Sequence, residues 1–256
     1  IYIGEKQKLV LLEHFTNQTS TLKNFDEQID LAFDADTLGR RGESNFMKLQ
    51  YHMSNPNAAD VFNVNNPADP SVRSFFYGVE SPPSTIMNGF LGRYEVGDFN
   101  PFVENNFNGL FSKITPQVIE REALKAPKFK IDLALDETNN DPALIEYRAG
   151  LTYLDSINNT FNEPVNVYLV LYESSVNGYR NVVRQMISGS GGITISQPWT
   201  WNPVATPTER TGLVDIKTQF ADANNLYVVA FVQNRSPREI YQAVIQKVSK
   251  PKTSLL

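Results

Sequence analysis

From Lys128 onward the chain carries seven strand-length runs and no long helical period: KFKIDLAL, LIEYRAGLTYL, PVNVYLVLYE, YRNVVRQMIS, GLVDIKTQF, LYVVAFVQ and IYQAVIQKV. Many short apolar runs separated by turn residues can bury their faces only by packing sheet on sheet, so this half predicts an antiparallel β-sandwich. In PVNVYLVLYE, Val165, Val167, Leu169 and Leu171 fall on one face, which is expected to be core. Asn177-Gly178 is a hairpin dipeptide and joins two of the runs.

The front half mixes periods. Lys8 to Phe15 places apolar residues on both faces, Val10 and Leu12 on one and Leu9 and Leu11 on the other, as a sheet covered by helices requires. From Ser20 the spacing turns helical through Leu22, Phe25, Ile29 and Phe33, with Ser20 or Thr21 as cap. FMKLQYHM (46–53) reads as a second strand, and DPSVRSFFYG (69–78) as a helix capped by Asp69 with Pro70 in its first turn. A short strand follows Pro82-Pro83 and ends at Asn88-Gly89, another hairpin signal. Helical spacing returns between Phe99 and Leu124, broken at Thr115-Pro116. The expected organisation is an α/β domain over 1–125, a β-sandwich over 126–250 and a loose tail over 251–256.

At 256 residues, 41% hydrophobic and 11% aromatic, the chain can build packed cores. Its net charge of −5 and scattered Lys and Arg argue against a nucleic-acid surface. No apolar run approaches the roughly 20 residues a membrane helix needs. The chain starts IYIGEKQK, without initiator Met or signal pattern, the start expected of a processed or truncated chain. It contains no cysteine, which excludes disulfides, thiolate nucleophiles and cysteine-based metal sites.

Several words carry a resemblance. LVLLEHFTNQTSTLKNF resembles the V-L-L-E-E-F-T-G-x-x-C-x-x-C-P opening of secreted thioredoxin-like proteins of Bacteroidota, and RSFFYGVESPPSTIMNG (73–89) resembles their R-x-x-Y-x-V-x-x-x-P-x-x-x-x-N/D-G word. YRNVVRQMISGSGG and LYVVAFVQNRSPREIYQAV resemble the sandwich half of the family related to the twenty-eight-kilodalton outer-membrane protein. The resemblance implies an N-terminal thioredoxin-like domain followed by a sandwich, in an exported, outer-membrane-associated, periplasmic or cell-surface protein of a Gram-negative bacterium. It also leaves open a lipid anchor on a residue preceding Ile1. Aligned on the opening word, Ser20 and Lys23 stand where the two cysteines would be, Asn24 replaces the proline, and Pro83 takes the cis-proline position facing that turn. Thiol–disulfide exchange needs a thiolate to attack sulfur, which a hydroxyl and an ammonium cannot do. The implied site is degenerate: an anion or extended peptide at a helix start is the functional reading, a capped helix with a structural proline the plainer one.

His14 and His52 are the only histidines, and both fall near the ends of neighbouring predicted strands. A hydrogen-bonded pair is expected rather than a metal site, because zinc takes three or four protein ligands and no Asp or Glu joins them at a fixed spacing. Trp199 and Trp201, alternate residues in QPWTWNP, would form a platform if exposed and a cover for the sandwich end if buried; the cover is preferred for large aromatics. No G-x-S-x-G elbow is present, GSGG (189–192) lacks the setting of a phosphate loop, and DLALDETNND (132–141) provides calcium ligands only loosely. Three N-x-S/T words begin at Asn17, Asn158 and Asn234, as chance allows in an Asn-rich chain.

The expectation is therefore a non-catalytic binding or assembly subunit with envelope proteins as partners and with no cofactor or metal. The alternatives are a carbohydrate-binding module on Trp199 and Trp201, and a hydrolase using His14 or His52 with Ser20.

Overall fold

The computed structural model describes residues 8–20, 46–89, 116–138, 141–202, 206–215 and 221–248. It is mostly β-sheet with few helices. Two compact units divide the chain: residues 1–126 with Ser236–Ile240, and 127–235 with 241–256. Among the described residues no helix is long and apolar enough to cross a membrane.

In the first unit, β1 (Val10–Thr16) lies between β2 (Phe46–His52), which runs parallel to it, and β3 (Ser84–Met87), which runs antiparallel. All seven residues of β1 are buried, the consequence of an apolar run covered on both faces. On one face Val10, Leu12 and Met87 pack against Ile119 and Ala123 of a helix at Pro116–Ala123. On the other, Phe15 stacks on Tyr51 at 5.3 Å and meets the edge of Tyr77 at 6.3 Å.

Two further helices connect β2 to β3: α1 (Val61–Asn65) and α2 (Ala68–Tyr77); the Pro116–Ala123 helix is α3. The cap expected at Asp69 lies elsewhere. Pro67 precedes α2 without a side-chain cap, and Asp69 sits inside the first turn, where its charge suits the helix dipole. Gly78, at φ +72°, ends α2 by returning its N–H to Phe75 and Ser74, a left-handed close that glycine makes without a Cβ penalty. Asn88 and Gly89 both have positive φ, and the strand that a hairpin would add after them lies outside the described residues. The Asn88 side-chain oxygen accepts from Leu11 N at 3.0 Å, and its carbonyl accepts from Ile240 N at 2.8 Å. The helix expected after Ser20 lies outside the described residues.

The second unit holds a three-stranded antiparallel sheet in the order β11-β5-β4, formed by Thr208–Asp215, Asp141–Tyr153 and Phe129–Thr138. A second layer runs β13-β12-β7-β8 (Ile240–Lys247, Leu226–Asn234, Val165–Val176 and Tyr179–Met186), with β9 (Ile193–Ile195) also paired to β7. The short pair β6 (Thr160–Phe161) and β10 (Trp199–Thr200) was not signalled by the sequence. Val165, Val167, Leu169 and Leu171 are fully buried in one core with Ile131, Ala149, Leu151, Val228 and Ala230. Phe129 anchors its end, with Tyr153, Phe161, Trp199 and Tyr241 all within 6 Å between ring centres. Asn177 and Gly178, at φ +50° and +82°, form the β7–β8 hairpin turn.

Candidate functional site at the strand ends of the first unit

The turn leaving β1 is held from three sides. Met53 N donates to Thr16 O at 2.7 Å, which ties the turn to the end of β2. The buried Asn17 amide donates to the carbonyls of Met53 and Asn57 at 2.6 and 2.9 Å, while its oxygen accepts from both the backbone and the hydroxyl of Thr19. Ser20 N then returns to Asn17 O at 3.0 Å. An Asn side chain that hydrogen-bonds two residues ahead mimics a backbone turn, so this loop is fixed by its own sequence. Ser20 is buried at its end. Pro83 is buried too, and the Pro82–Pro83 peptide bond is cis, immediately before β3. Lys23 lies outside the described residues.

Asp60 joins this turn to α1. One of its oxygens accepts from Phe62 N and Asn63 N, the geometry of an N-cap. The other accepts from Gln18 N at 2.7 Å and meets His52 Nδ1 at 2.8 Å. Burial pushes the Asp60 carboxyl up, but the hydrogen bond and charge of His52, helped by the N–H groups of Gln18 and Asn63, outweigh it and hold the carboxyl below its usual value of 3.8. The Gln18 oxygen accepts from Val61 N and Asn63 donates to His52 O, so turn, strand end and helix start form one network.

The parallel register makes the two histidines diagonal neighbours. His14 faces Gln50 and Thr16 faces His52, so the imidazoles share a face two ladder positions from each other. Each has its own partner, since His14 Nδ1 meets Thr85 Oγ1 at 2.7 Å and His52 meets Asp60. At 0% and 2% exposure, neither ring offers a surface to substrate. Among the described residues no group of three His, Cys, Asp or Glu side chains is placed to hold a metal ion.

The opposite face of β1 carries a second network, which no local sequence signal marks. Glu13 receives Arg73 in a two-bond fork, Nε to Oε1 at 2.6 Å and Nη2 to Oε2 at 2.7 Å, and Tyr77 donates to Oε2 at 2.5 Å. Burial alone would lower the Arg73 pKa, but the Glu13 charge beside it raises it well above the ordinary value. Tyr51, in the same cluster, is raised first by burial and then by Glu13. Glu13 and His14 are successive residues of β1, so their side chains lie on opposite faces of the sheet.

Trp199 and Trp201 do not present a common platform. Trp199 pairs with Phe161 and is 4% exposed, edge-on to Phe129 at 5.0 Å. Trp201 lies beyond the strand and is 38% exposed. The cover is one ring, not two.

No family model matches the chain, and neither does any curated protein. Among solved structures, HBP35 of Porphyromonas gingivalis is similar over 99% of this chain and 80% of its own length, with a TM-score of 0.63 at 15% identity. A domain of the outer membrane lipoprotein Omp28 from Porphyromonas gingivalis aligns with 48% of this chain and 97% of its own length, at 18% identity and a TM-score of 0.36. The likeness to HBP35 is one of fold, and it extends over nearly the whole chain.

Proposed function

We propose that this chain is a non-catalytic binding and assembly subunit of a bacterial envelope, built from a thioredoxin-like scaffold that lacks a redox centre and an antiparallel β-sandwich. The observation that carries this reading is the turn after β1. Hydrogen bonds of Asn17, Gln18 and Asp60 hold it in place, yet Ser20 ends it and the chain contains no sulfur nucleophile. The parallel β1–β2 pair and the antiparallel return of β3 beside β1 support the thioredoxin-like reading. The shared core of the two sheets in the second unit supports the sandwich. The envelope setting rests on the sequence words quoted above. A non-catalytic role is supported by the burial of both imidazoles, whose Nδ1 atoms are already engaged.

The test is cross-linking in intact envelopes of the native host, followed by purification of the tagged chain. The expected result is recovery with other envelope proteins in fixed ratio, and no reduction of insulin disulfides by the pure chain. Recovery of the chain alone, as a monomer, contradicts the proposal.

A further inference from the structure

On α2 the outward residues are Ala68, Ser71, Val72 and Phe75, with Val72 43% and Phe75 86% exposed. Their spacing of i, i+3, i+4 and i+7 is one face of a helix. Asp69, Pro70, Arg73, Ser74 and Tyr77 are buried on the other face. A surface helix normally turns its charges to water. Here both charged residues of α2, Asp69 and Arg73, face inward, and the outward face has none. The preceding α1 also has no charged residue, and its Val61 and Val64 are exposed.

The outward face is also cheap to desolvate. The Ser71 hydroxyl, its one polar side-chain group, already donates to Pro67 O at 2.7 Å, so covering it strands no donor. Phe76, the next residue, lies under the guanidinium groups of Arg73 and Arg238 at 5.0 and 5.2 Å, whereas the Phe75 ring stays open to solvent. A patch without charge that carries an exposed aromatic ring has the make-up of an interface core.

The order of the four residues says what fits on them. The stripe is symmetric about a point between Ser71 and Val72. A second α2 laid antiparallel across it therefore sets Phe75 against Ala68 and Val72 against Ser71, and the two-fold axis repeats both pairings. Each large side chain meets a small one, as helix packing of knobs into holes requires. Charge agrees with size: at a net −5 two copies repel each other, and least through a face that exposes no charge. A lipid surface matches less well, because interfacial helices carry Lys and Arg beside their apolar face and α2 exposes neither. From this reciprocity we infer that α2 is a homodimer interface, with two chains paired antiparallel through Ala68, Ser71, Val72 and Phe75. The inference goes beyond the envelope role and stands or falls separately from it.

Sedimentation velocity of the full chain across a concentration series is the test. A face this small is expected to give a reversible dimer with a Kd on the order of 10 μM. Phe75→Ala leaves a hole opposite Ala68 of the second copy and should weaken the dimer about tenfold; Ala68→Phe sets ring against ring and should do the same. Combining the two exchanges knob and hole, and should restore the affinity to within about threefold of the unaltered chain. Both positions are exposed in the single chain, so urea unfolding at low concentration should be alike in all four proteins. Because the chain has no cysteine, Val72→Cys supplies one thiol beside the axis, and diamide should cross-link chains in pairs. Glu80→Cys, beyond the end of α2, should not cross-link. A monomer at every concentration, a dimer indifferent to Phe75→Ala, or a double variant no better than the single ones overturns the inference. So does binding of the monomer to phospholipid vesicles that Phe75→Ala abolishes, which would give the face to lipid.

Discussion

Arg73 grips Glu13 across 60 residues of sequence with two hydrogen bonds of 2.6 and 2.7 Å, and neither side chain is exposed. This pair joins α2 to the central strand of the first unit, with Tyr77 closing the fork. Two buried charges that satisfy each other define a register more than they add stability, because desolvation offsets most of their attraction. Replacing Glu13 with Ala strands a buried guanidinium and is expected to cost about 3–5 kcal/mol in urea unfolding. The combined Glu13→Leu, Arg73→Met and Tyr77→Phe variant should fall within about 1–2 kcal/mol of the unaltered chain. Equal losses in the two variants would contradict the pair's proposed place.

Asp60 gives the first unit an acid dependence with a definite sign. Its carboxyl titrates lower in the fold than in the unfolded chain, so its contribution is fully present above the usual value of 3.8 and is lost as pH falls through the folded value. Asp60→Asn keeps an N-cap oxygen but removes the charge beside His52. The stability gap between the unaltered chain and this variant, measured by urea unfolding, should be widest near pH 6 and shrink at about pH 3. A gap that grows on acidification would refute the sign.

The two tryptophans should separate in every measurement. Trp199→Ala removes a ring packed against Phe129 and is expected to cost about 3–5 kcal/mol, whereas Trp201→Ala should cost about 1 kcal/mol or less. Iodide should quench the Trp201 fluorescence and spare that of Trp199. Equal quenching would contradict the buried placement.

Gly192 tests the packing around β7. Its φ is +72°, and an added Cβ would lie 2.8 Å from the Tyr168 ring, which stacks on Phe231 at 4.9 Å. Gly192→Ala combines backbone strain with overpacking and should lower stability by about 2–3 kcal/mol in thermal or urea unfolding. A neutral result would mean that the ring moves aside freely.

The strands of the second unit were legible because alternation and turn dipeptides are local signals. Val165 to Leu171 declared its core face, and Asn177-Gly178 declared the hairpin. β11 starts ahead of its apolar run: GLVDIKTQF spans 212–220, while pairing with β5 begins the strand at Thr208. The excursion of Ser236–Ile240 into the first unit, with Ile240 N on the Asn88 carbonyl and the Arg238 guanidinium over the Phe76 ring at 5.2 Å, leaves no sequence signal. At the candidate site the turn residues are visible as the polar word Asn17-Gln18-Thr19, but their partners are not. Asp60 caps a helix too short to show a period, and Arg73 is an ordinary surface residue by composition until the fold buries it opposite Glu13.

We propose that the first unit keeps a frame built to present a redox pair while lacking the pair itself. Restoring the pair by Ser20→Cys together with Lys23→Cys, then counting free thiols after mild oxidation, decides the point. An intramolecular disulfide that dithiothreitol reopens is expected, whereas two free thiols persisting under oxidant would refute the proposal.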